Sequence, residues 1–155
     1  MKLVKYTERQ RDLLMQFELT EEQLKYVKSP KENINMAEVD NNRTPIFGLN
    51  DEGIPVIFFV LHKHSEYEHE FDFDNSIYVR SFATDHRYLR KGYAKSALLA
   101  LPEFIQDYFS HVEYITLLVD VPNEAARAMY LKLEFKQGKC IEGERYLAYC
   151  MTKKI

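Results

Sequence analysis

The chain has 155 residues, of which 46% are hydrophobic and 29% are charged, a balance typical of a folded globular domain. Its formal net charge of −3 argues against a nucleic-acid-binding domain, which is usually basic. No apolar run approaches the roughly 18 residues that a membrane span needs, and the first ten residues lack the apolar core of a secretory signal. We therefore expect one cytoplasmic domain over residues 1–155, with no membrane or nucleic-acid partner.

The beginning of the chain predicts a strand followed by two helices. Residues 2–6 form a plausible first strand, and residues 7–28 have helical character. A capping box, Thr-Glu-Glu-Gln, starts at Thr20, so we expect one helix to end near Glu18 and another to begin after Thr20. Residues 28–43 are rich in loop-forming residues and predict at most one short helical turn.

Three strands follow in the sequence. Residues 44–50 and 54–64 are apolar and β-branched, and the intervening Asp-Glu-Gly fits a hairpin turn. Residues 76–84 predict another strand. The acidic segment 65–76 alternates charged and apolar residues, which is typical of an exposed connection between strands.

The longest predicted helix begins near Gly92. Apolar residues recur at steps of three and four from Ala94 to Tyr108, the pattern of a helix that packs on a sheet. Pro102 lies inside this pattern, and its missing N–H group predicts that the helix is kinked or split there.

The last third of the chain predicts a strand, a helix and a hairpin. Residues 113–121 are nearly all apolar, as in a strand covered on both faces, and Asn123 is a natural cap for a helix over 123–133. A hairpin turning about Gly143 places Cys140 opposite residue 146 or so, away from Cys150, which predicts two separate reduced thiols. The element order is then β-α-α-β-β-β-α-β-α-β-β, a mixed sheet of the α/β (α+β) class.

The segment before the long helix predicts a phosphate site. Arg87, Arg90 and Lys91 lead into Gly92, just where the helix begins. The first N–H groups of a helix lack internal partners and carry partial positive charge, and a glycine lets a ligand approach the backbone. Taken alone, a cationic loop before a helix is more often a solvated surface.

Two motifs in the right order resolve this ambiguity. The segment Leu89-Arg90-Lys91-Gly92-Tyr93-Ala94 resembles motif A of the GNAT superfamily, the Gcn5-related N-acetyltransferases, which reads Gln/Arg-x-x-Gly-x-Gly/Ala. About 30 residues later, a second segment resembles motif B, Asn-x-x-Ala-x-x-x-Tyr-x-Lys-x-Gly-Phe. Its matching positions are Asn123, Ala126, Tyr130, Lys132 and Phe135.

The sequence departs from the two motifs at one position each. Leu89 stands where Gln or Arg is usual, so one side-chain contact to the pyrophosphate is lost. Arg87, Arg90 or Lys91 could replace that contact. Glu134 stands where Gly usually ends the motif B helix, which should alter the cap of that helix and leave the ligand site intact.

The resemblance implies a fold, a co-substrate and a set of site residues. The fold is a mixed, largely antiparallel sheet of six to seven strands flanked by about four helices. The implied co-substrate is acetyl-CoA, with no metal, and its acetyl group passes to a primary amine of a small molecule, such as a polyamine, or of a protein. The cofactor-binding positions that the family implies are Phe82, Ala83, Thr84, Leu89, Arg90, Lys91, Gly92, Tyr93, Ala94, Lys95, Asn123 and Tyr130.

Tyr130 is the residue to which the resemblance assigns catalysis, as the acid that protonates the leaving thiolate. A phenol with a pKa of about 10 stays protonated at neutral pH and can protonate a thiolate with a pKa of about 8.5. The alternative is a core tyrosine, because Tyr130 also lies on the apolar stripe of its helix.

The sequence assigns no general base. Many relatives carry a glutamate on the strand where this chain has Arg80 and Ser81. Arg80 would meet either an acidic acceptor or carboxylates of its own chain, and a water relay could replace a base. The nearest titratable candidates are Asp85, His86, His62 and His64.

Two other functions stay open at this point. Leu89 and the missing base leave room for a non-catalytic module that binds or senses acyl-CoA, and the cationic loop leaves room for a nucleic-acid-binding module, which the net charge disfavours. The chain is expected to be a monomer or a homodimer.

Overall fold

The computed structural model, which describes residues 1–155, contains seven strands and four α-helices. The order of strands and helices is the predicted one, but the second helix lies in a different segment from the predicted one. In chain order they are β1 (Lys2–Lys5), α1 (Arg11–Gln16), α2 (Pro30–Glu38), β2 (Arg43–Leu49), β3 (Pro55–His62), β4 (Ser76–Thr84), α3 (Tyr93–Tyr108), β5 (Tyr114–Asp120), α4 (Glu124–Lys132), β6 (Lys136–Glu142) and β7 (Leu147–Lys154).

All seven strands form one sheet in the spatial order β1-β2-β3-β4-β5-β7-β6. Every neighbouring pair is antiparallel except β4 and β5, which are parallel and are connected through α3. The predicted mixed, largely antiparallel sheet is therefore confirmed. Its one parallel pair lies at the centre of the sheet.

Helices cover both faces of the sheet, and β3 shows why. All eight residues of β3 are buried, and consecutive side chains of a strand point to opposite faces. Phe59 joins the main core of 20 buried residues, to which α3 and α4 contribute Leu101 and Tyr130. Phe58 joins a smaller cluster on the other face, against which Leu13 and Leu14 of α1 pack.

A nine-residue helix, α2, occupies the segment that the sequence predicted to be mostly loop. Ser29 caps it by accepting a hydrogen bond from the Glu32 N–H (3.1 Å), and Pro30 occupies its first turn. Both features are start signals of a helix, and they outweigh the polar composition of this segment.

The second helix predicted after Thr20 shrinks to a single 3₁₀ turn, Gln23–Lys25. The capping box does form, because the Thr20 N–H donates to Gln23 Oε1 (3.0 Å) and the Gln23 N–H donates to Thr20 Oγ1 (3.2 Å). The turn buries no side chain, however, so no tertiary packing extends it into a longer helix.

Pro102 does not split α3, which is continuous over 16 residues. Leu98 and Leu101 before the proline and Phe104 and Ile105 after it are all buried in the main core. Packing on both sides of the proline thus holds the two halves in one helix, despite the backbone hydrogen bond that the proline removes. No helix of the chain combines the length and the apolar character that crossing a bilayer requires.

The end of α4 keeps its usual geometry without a glycine. Glu134 adopts a left-handed conformation (φ +69°), and the N–H groups of Glu134 and Phe135 donate to the carbonyls of Leu131 and Tyr130 (3.1 and 3.0 Å). These two bonds form a Schellman motif, which glycine normally completes. The prediction that Glu134 alters the cap is therefore wrong, because this residue takes up the strained conformation itself.

The last hairpin turns later than the sequence predicted. Glu142 pairs with Leu147, and a hydrogen bond from the Gly143 N–H to the Tyr146 carbonyl (2.8 Å) closes the turn. Cys140 consequently lies opposite Tyr149 rather than near residue 146. Both cysteines are free, as predicted.

Asp85 connects the end of β4 to the chain that follows α1. Its side chain is fully buried and accepts hydrogen bonds from the Glu18 N–H (2.9 Å), the Arg87 N–H (2.9 Å) and the Arg87 guanidinium (3.0 and 2.7 Å). Burial alone would raise the pKa of Asp85, but the hydrogen bonds from Arg87 and the backbone outweigh it and lower the pKa. This carboxylate therefore fixes the loop that leads into α3.

We expect Asp85→Ala to lower the free energy of unfolding at pH 7 by about 2–4 kcal/mol, because it leaves buried donors without an acceptor. Asp51→Ala is the control, since Asp51 is exposed and makes no side-chain hydrogen bond. The difference in the free energy of unfolding between wild type and Asp85→Ala should have its full size above pH ~4. It should shrink as the pH falls through the lowered pKa of Asp85 in the folded state. Urea denaturation measures this free energy. Equal urea midpoints for Asp85→Ala and Asp51→Ala would contradict the stabilising role of Asp85.

Candidate active site

The parallel strands β4 and β5 pair over only three residues each. Ser76, Ile77 and Tyr78 lie opposite Tyr114, Ile115 and Thr116. Beyond this point β4 continues to Thr84 and β5 to Asp120, and no register pairs them. The two strands therefore diverge and open a cleft in the middle of the sheet.

A β-bulge in β4 accompanies the divergence. Val60 of β3 lies opposite Arg80, whereas Phe58 lies opposite Ala83, so β4 contains one extra residue. Ser81 in this bulge has a left-handed backbone (φ +55°). Bulges bend a strand and increase its local twist, which directs the end of β4 away from β5.

Helix α2 supports the bulge through a side-chain hydrogen bond. Ser81 Oγ donates to Oδ1 of Asn33, which is 1% exposed. The Asn33 amide donates in turn to the carbonyls of Lys28 (3.1 Å) and Ser29 (3.0 Å). The helix that sequence reasoning missed is therefore part of the frame of the cleft.

The cleft encloses a cavity of about 110 Å³. Residues of β4, β5 and α4 form its walls, and the segment before α2 and the β6–β7 turn form its mouth. Its lining residues are Tyr26, Val27, Lys28, Tyr67, Tyr78, Val79, Arg80, Ser81, Phe82, Leu117, Leu118, Val119, Asp120, Asn123, Ala126, Tyr130, Gly143, Glu144 and Arg145.

Phe82, Ala83 and Thr84, for which the sequence predicted cofactor contacts, lie along the edge of β4 at this cleft. On one side, Ala83 and Thr84 pair with β3. On the other side no strand pairs with them, although the Thr84 carbonyl already accepts a hydrogen bond from Gln23 Nε2 (2.7 Å). The Phe82 ring stacks on Phe59 (centroids 5.5 Å apart), which anchors this edge to the core. A strand edge of this kind can accept an extended chain through backbone hydrogen bonds.

The predicted phosphate loop, residues 89–95, leads into α3. Gly92 caps the helix in a left-handed conformation (φ +82°), and the first backbone bond of the helix runs from the Ser96 N–H to the Gly92 carbonyl (3.0 Å). The N–H groups of Tyr93, Ala94 and Lys95 are left without a backbone partner. A Cβ added at Gly92 would meet no atom within 4 Å, so the surface there is open.

The cations of the loop divide into two kinds. Arg90 and Lys91 are exposed and form no ion pair, so they remain available to an anion at the start of α3. Arg87 instead holds Asp85 at 2.7 Å and also donates to the Gln16 carbonyl. Of the three cations that could replace the missing side chain at position 89, the structure therefore favours Arg90 and Lys91, because Arg87 already binds Asp85.

Tyr130 lies in the core and at the cavity at once. It is 6% exposed, and its ring packs edge-on against Phe135 (centroids 5.3 Å apart). Its hydroxyl makes no hydrogen bond within the chain. Burial raises its pKa, so the phenol stays protonated at neutral pH. Asn123 caps the same helix as predicted, since its Oδ1 accepts from the Ala126 N–H (3.4 Å).

None of the four titratable candidates from the sequence lines the cavity. Asp85 is bound to Arg87, while His86 and His64 lie 3.3 Å from Glu18 and Glu68. His62 is buried, and burial together with nearby arginines lowers its pKa, so it is neutral at pH 7.

Arg80 is occupied by groups of its own chain. Its side chain is 8% exposed, pairs with Glu66 and lies 3.4 Å from Glu144. Its Nη1 also lies 3.0 Å from Nδ1 of His62, and the other ring nitrogen of His62 lies 3.4 Å from Asp40. Of the two interpretations of Arg80, the structure favours pairing with internal carboxylates.

Sequence reasoning missed Asp120, a carboxylate without a partner that lines the cavity. This residue ends β5, is partly buried and makes no side-chain hydrogen bond or ion pair. The pKa of Asp120 is raised to about 6. Burial is the largest cause of this shift, Glu144 also raises the pKa, and Arg145 lowers it. The available signal was a lone carboxylate at the end of an apolar strand, three residues before Asn123.

A model of the Acetyltransferase (GNAT) family matches residues 9–135. The chain belongs to the GNAT acetyltransferase family. As a GNAT protein it is an acyltransferase that takes its acetyl group from acetyl-CoA.

Similar proteins agree with this membership. The GNAT chain is 32% identical over 123 residues to the uncharacterized N-acetyltransferase YbbJ of Bacillus subtilis (strain 168), which covers 79% of this chain and 76% of YbbJ. The fold of this chain matches that of an uncharacterized protein from Bacillus halodurans. The TM-score is 0.81 at 17% identity, over 98% of this chain and 82% of the Bacillus halodurans chain.

Two further structures share the GNAT fold. Aminoglycoside acetyltransferase AAC(6')-Ib in complex with coenzyme A has a TM-score of 0.76 at 16% identity, over 98% of this chain and 93% of that one. Spermidine N-acetyltransferase from Vibrio cholerae in complex with CoA and spermine has a TM-score of 0.71 at 15% identity, over 99% and 94% of the two chains. At these identities the likeness concerns the fold.

We expect Gly92→Val to weaken CoA binding at least tenfold, about 1.4 kcal/mol, because a branched side chain would stand where a phosphate approaches the first N–H groups of α3. Isothermal titration calorimetry with CoA measures this change.

Gly53→Val is the matched control. Gly53 also has a left-handed backbone (φ +79°) and no atom within 4 Å of an added Cβ, but it lies in the turn between β2 and β3. Both variants should lose similar stability, and only Gly92→Val should lose affinity. Equal affinity in the two folded variants would contradict the placement of the phosphates at Gly92.

Proposed function

We propose that the protein transfers the acetyl group of acetyl-CoA to the primary amine of a small, cationic molecule, with Tyr130 as the general acid. The observation that carries this proposal is the cleft between β4 and β5, at which a buried, protonated phenol has its hydroxyl free of partners. Three properties of the cleft support it: its fit to the co-substrate, the chemistry of Tyr130 and the charge of its lining.

The chain offers suitable groups for each part of acetyl-CoA. The edge at Phe82–Thr84, which no strand pairs and of which the Thr84 carbonyl alone is occupied by Gln23, can bind the pantetheine arm as an added strand. The free N–H groups of Tyr93–Lys95, together with Arg90 and Lys91, can bind the pyrophosphate. Leu89 is 45% exposed, and its backbone N–H remains available although its side chain cannot bind an anion.

Tyr130 suits protonation of a leaving thiolate. Acetyl-CoA supplies an activated acetyl group whose leaving thiolate needs a proton. Because burial raises the pKa of Tyr130, its hydroxyl keeps its proton until a stronger base than water lies beside it. A thiolate in contact with this hydroxyl is such a base.

The lining of the cavity favours a cationic acceptor. Asp120 and Glu144 supply carboxylates, and Tyr26 and Tyr67 supply aromatic rings, both of which attract an ammonium group. The aminoglycoside and spermidine acetyltransferases with the same fold act on amines, which supports this class of acceptor.

An acceptor panel tests the proposal. The protein is incubated with acetyl-CoA and, in turn, spermidine, kanamycin, a simple monoamine and a peptide with a free N-terminus, and free thiol is measured. We expect thiol release with at least one polycationic amine and acetylated product by mass spectrometry. CoA binding without transfer to any amine would contradict the proposal and favour the non-catalytic acyl-CoA-binding module.

We expect Tyr130→Phe to lower kcat by roughly 100-fold, the low end for loss of a general acid, with little change in KM. Its melting temperature should stay at the wild-type value, because the hydroxyl has no partner in the folded chain to lose. Tyr114→Phe is the control, since Tyr114 stacks on Phe73 and does not line the cavity. Full turnover of Tyr130→Phe at saturating substrates would remove Tyr130 from the mechanism.

A further inference from the structure

We infer that Asp120 is the general base, which removes the proton from the acceptor's ammonium group. The assignment rests on the proposed acetyl transfer and adds a residue for the step to which the sequence assigned none. Position, lack of a partner and surroundings each support it.

The position of Asp120 complements that of Tyr130. Leu117 and Val119 of β5 lie in the same core cluster as Tyr130. Because side chains alternate along a strand, Leu118 and Asp120 point to the opposite face, and Leu118 packs there in a separate cluster. Asp120 and Tyr130 therefore line one cavity from opposite faces of the sheet.

Asp120 is also the carboxylate in the cavity that is free to accept a proton. Glu144, the other acid in the lining, is 2.9 Å from Lys28 and 3.4 Å from Arg80. Glu66, just outside, is paired with Arg80. The side chain of Asp120 has no such partner, and its carbonyl accepts from the Asn123 N–H (2.8 Å), which fixes its backbone.

Charged and titratable groups face Asp120 from several elements. They are Glu144 and Arg145 on the β6–β7 turn, Lys28 before α2, Tyr67 before β4, Tyr78 and Arg80 on β4, and Tyr130 on α4. Burial is the largest influence and raises the pKa of Asp120 to about 6, while Arg145 lowers it and Glu144 raises it. The carboxylate is therefore mainly ionised at pH 7 and more basic than an ordinary aspartate.

The reaction balances with the two residues in these roles. The ammonium proton moves to Asp120, and the amine nitrogen then attacks the acetyl carbon. As the C–N bond forms, the attacking nitrogen becomes positively charged, and as the C–S bond breaks, its electron pair leaves on sulfur, which takes the proton from Tyr130. The acetylated nitrogen releases its extra proton to solvent and becomes the neutral amide. Asp120 returns its proton to solvent and Tyr130 regains one from solvent, so each turnover releases one proton overall.

Asp120→Asn tests the assignment, because it keeps the size of the side chain and removes its basicity. The wild type should lose kcat as the pH falls below ~6, and Asp120→Asn should lack this limb and be at least 100-fold slower at pH 7. If Asp120 only bound the ammonium group, KM for the amine would rise while kcat at saturation and its pH profile stayed at wild-type values. Asp107→Asn, an exposed carboxylate on α3, is the control with the same charge change.

Two measurements without substrate check the same group. The carboxyl carbon of Asp120 should titrate near pH 6 by NMR, and a titration near 4, the value of an ordinary aspartate, would overturn the assignment. Because the folded-state pKa lies above the unfolded one, wild-type stability should fall as the pH rises from ~4 to ~6. Asp120→Asn should lack that decline and melt above the wild type at pH 8.

The outcomes separate this inference from the proposed function. Transfer by the wild type together with a large kcat loss in Asp120→Asn supports both. Transfer by the wild type with an unchanged kcat in Asp120→Asn overturns the role of Asp120 alone. Binding of CoA with no transfer to any amine overturns both.

Discussion

The divergence of two parallel strands is the constraint on which the site depends. After Tyr78 and Thr116 the backbone groups of β4 and β5 no longer pair with each other, and the bulge at Ser81 turns β4 aside. An unpaired strand edge inside a sheet is normally unfavourable, since its backbone groups need partners. Here the edge is held open by its neighbours, because β4 stays paired with β3 and Asn33 of α2 holds the bulge.

The same cleft concentrates groups that are costly to leave without partners. Tyr130 is buried with a free hydroxyl, and Asp120 is partly buried with an unpaired carboxylate. Elsewhere the chain satisfies its buried polar groups carefully: Asp85 accepts four hydrogen bonds, and no fully buried polar side-chain atom lacks a partner. Tyr130 and Asp120 thus lie at one cavity with polar groups that the chain itself does not satisfy, as expected where a ligand completes the bonding.

The sequence predicts the elements and motifs well because these depend on local signals. Gly92 before an apolar stripe and Asn123 before another mark where α3 and α4 begin, and the structure places both residues as caps. Two further features depend on packing. Asn33 supports the bulge only because α2 packs next to Ser81. Asp120 enters the cavity only because β4 leaves β5, and no local pattern encodes that separation.

Electrostatic partners were the least predictable part of the site. Arg87, Arg90 and Lys91 are equivalent in sequence, but a buried carboxylate two residues away binds Arg87 and leaves the other two free. Arg80 is likewise occupied by Glu66 from the acidic segment and by Glu144 from the last hairpin, 64 residues away. Charge counting cannot assign such pairings, because the Arg80 pairs are long-range contacts and the local Arg87 pair depends on the burial of Asp85.

The central claim is that the cleft between β4 and β5, continued to the start of α3, binds acetyl-CoA. An NMR titration of the ¹⁵N-labelled protein with CoA tests it most directly, because it reports on each backbone N–H group. The account predicts that the largest amide shifts fall at residues 82–84 and 92–95, with small shifts along β1 and β6. Large shifts confined to other surfaces, with these two segments unmoved, would contradict it.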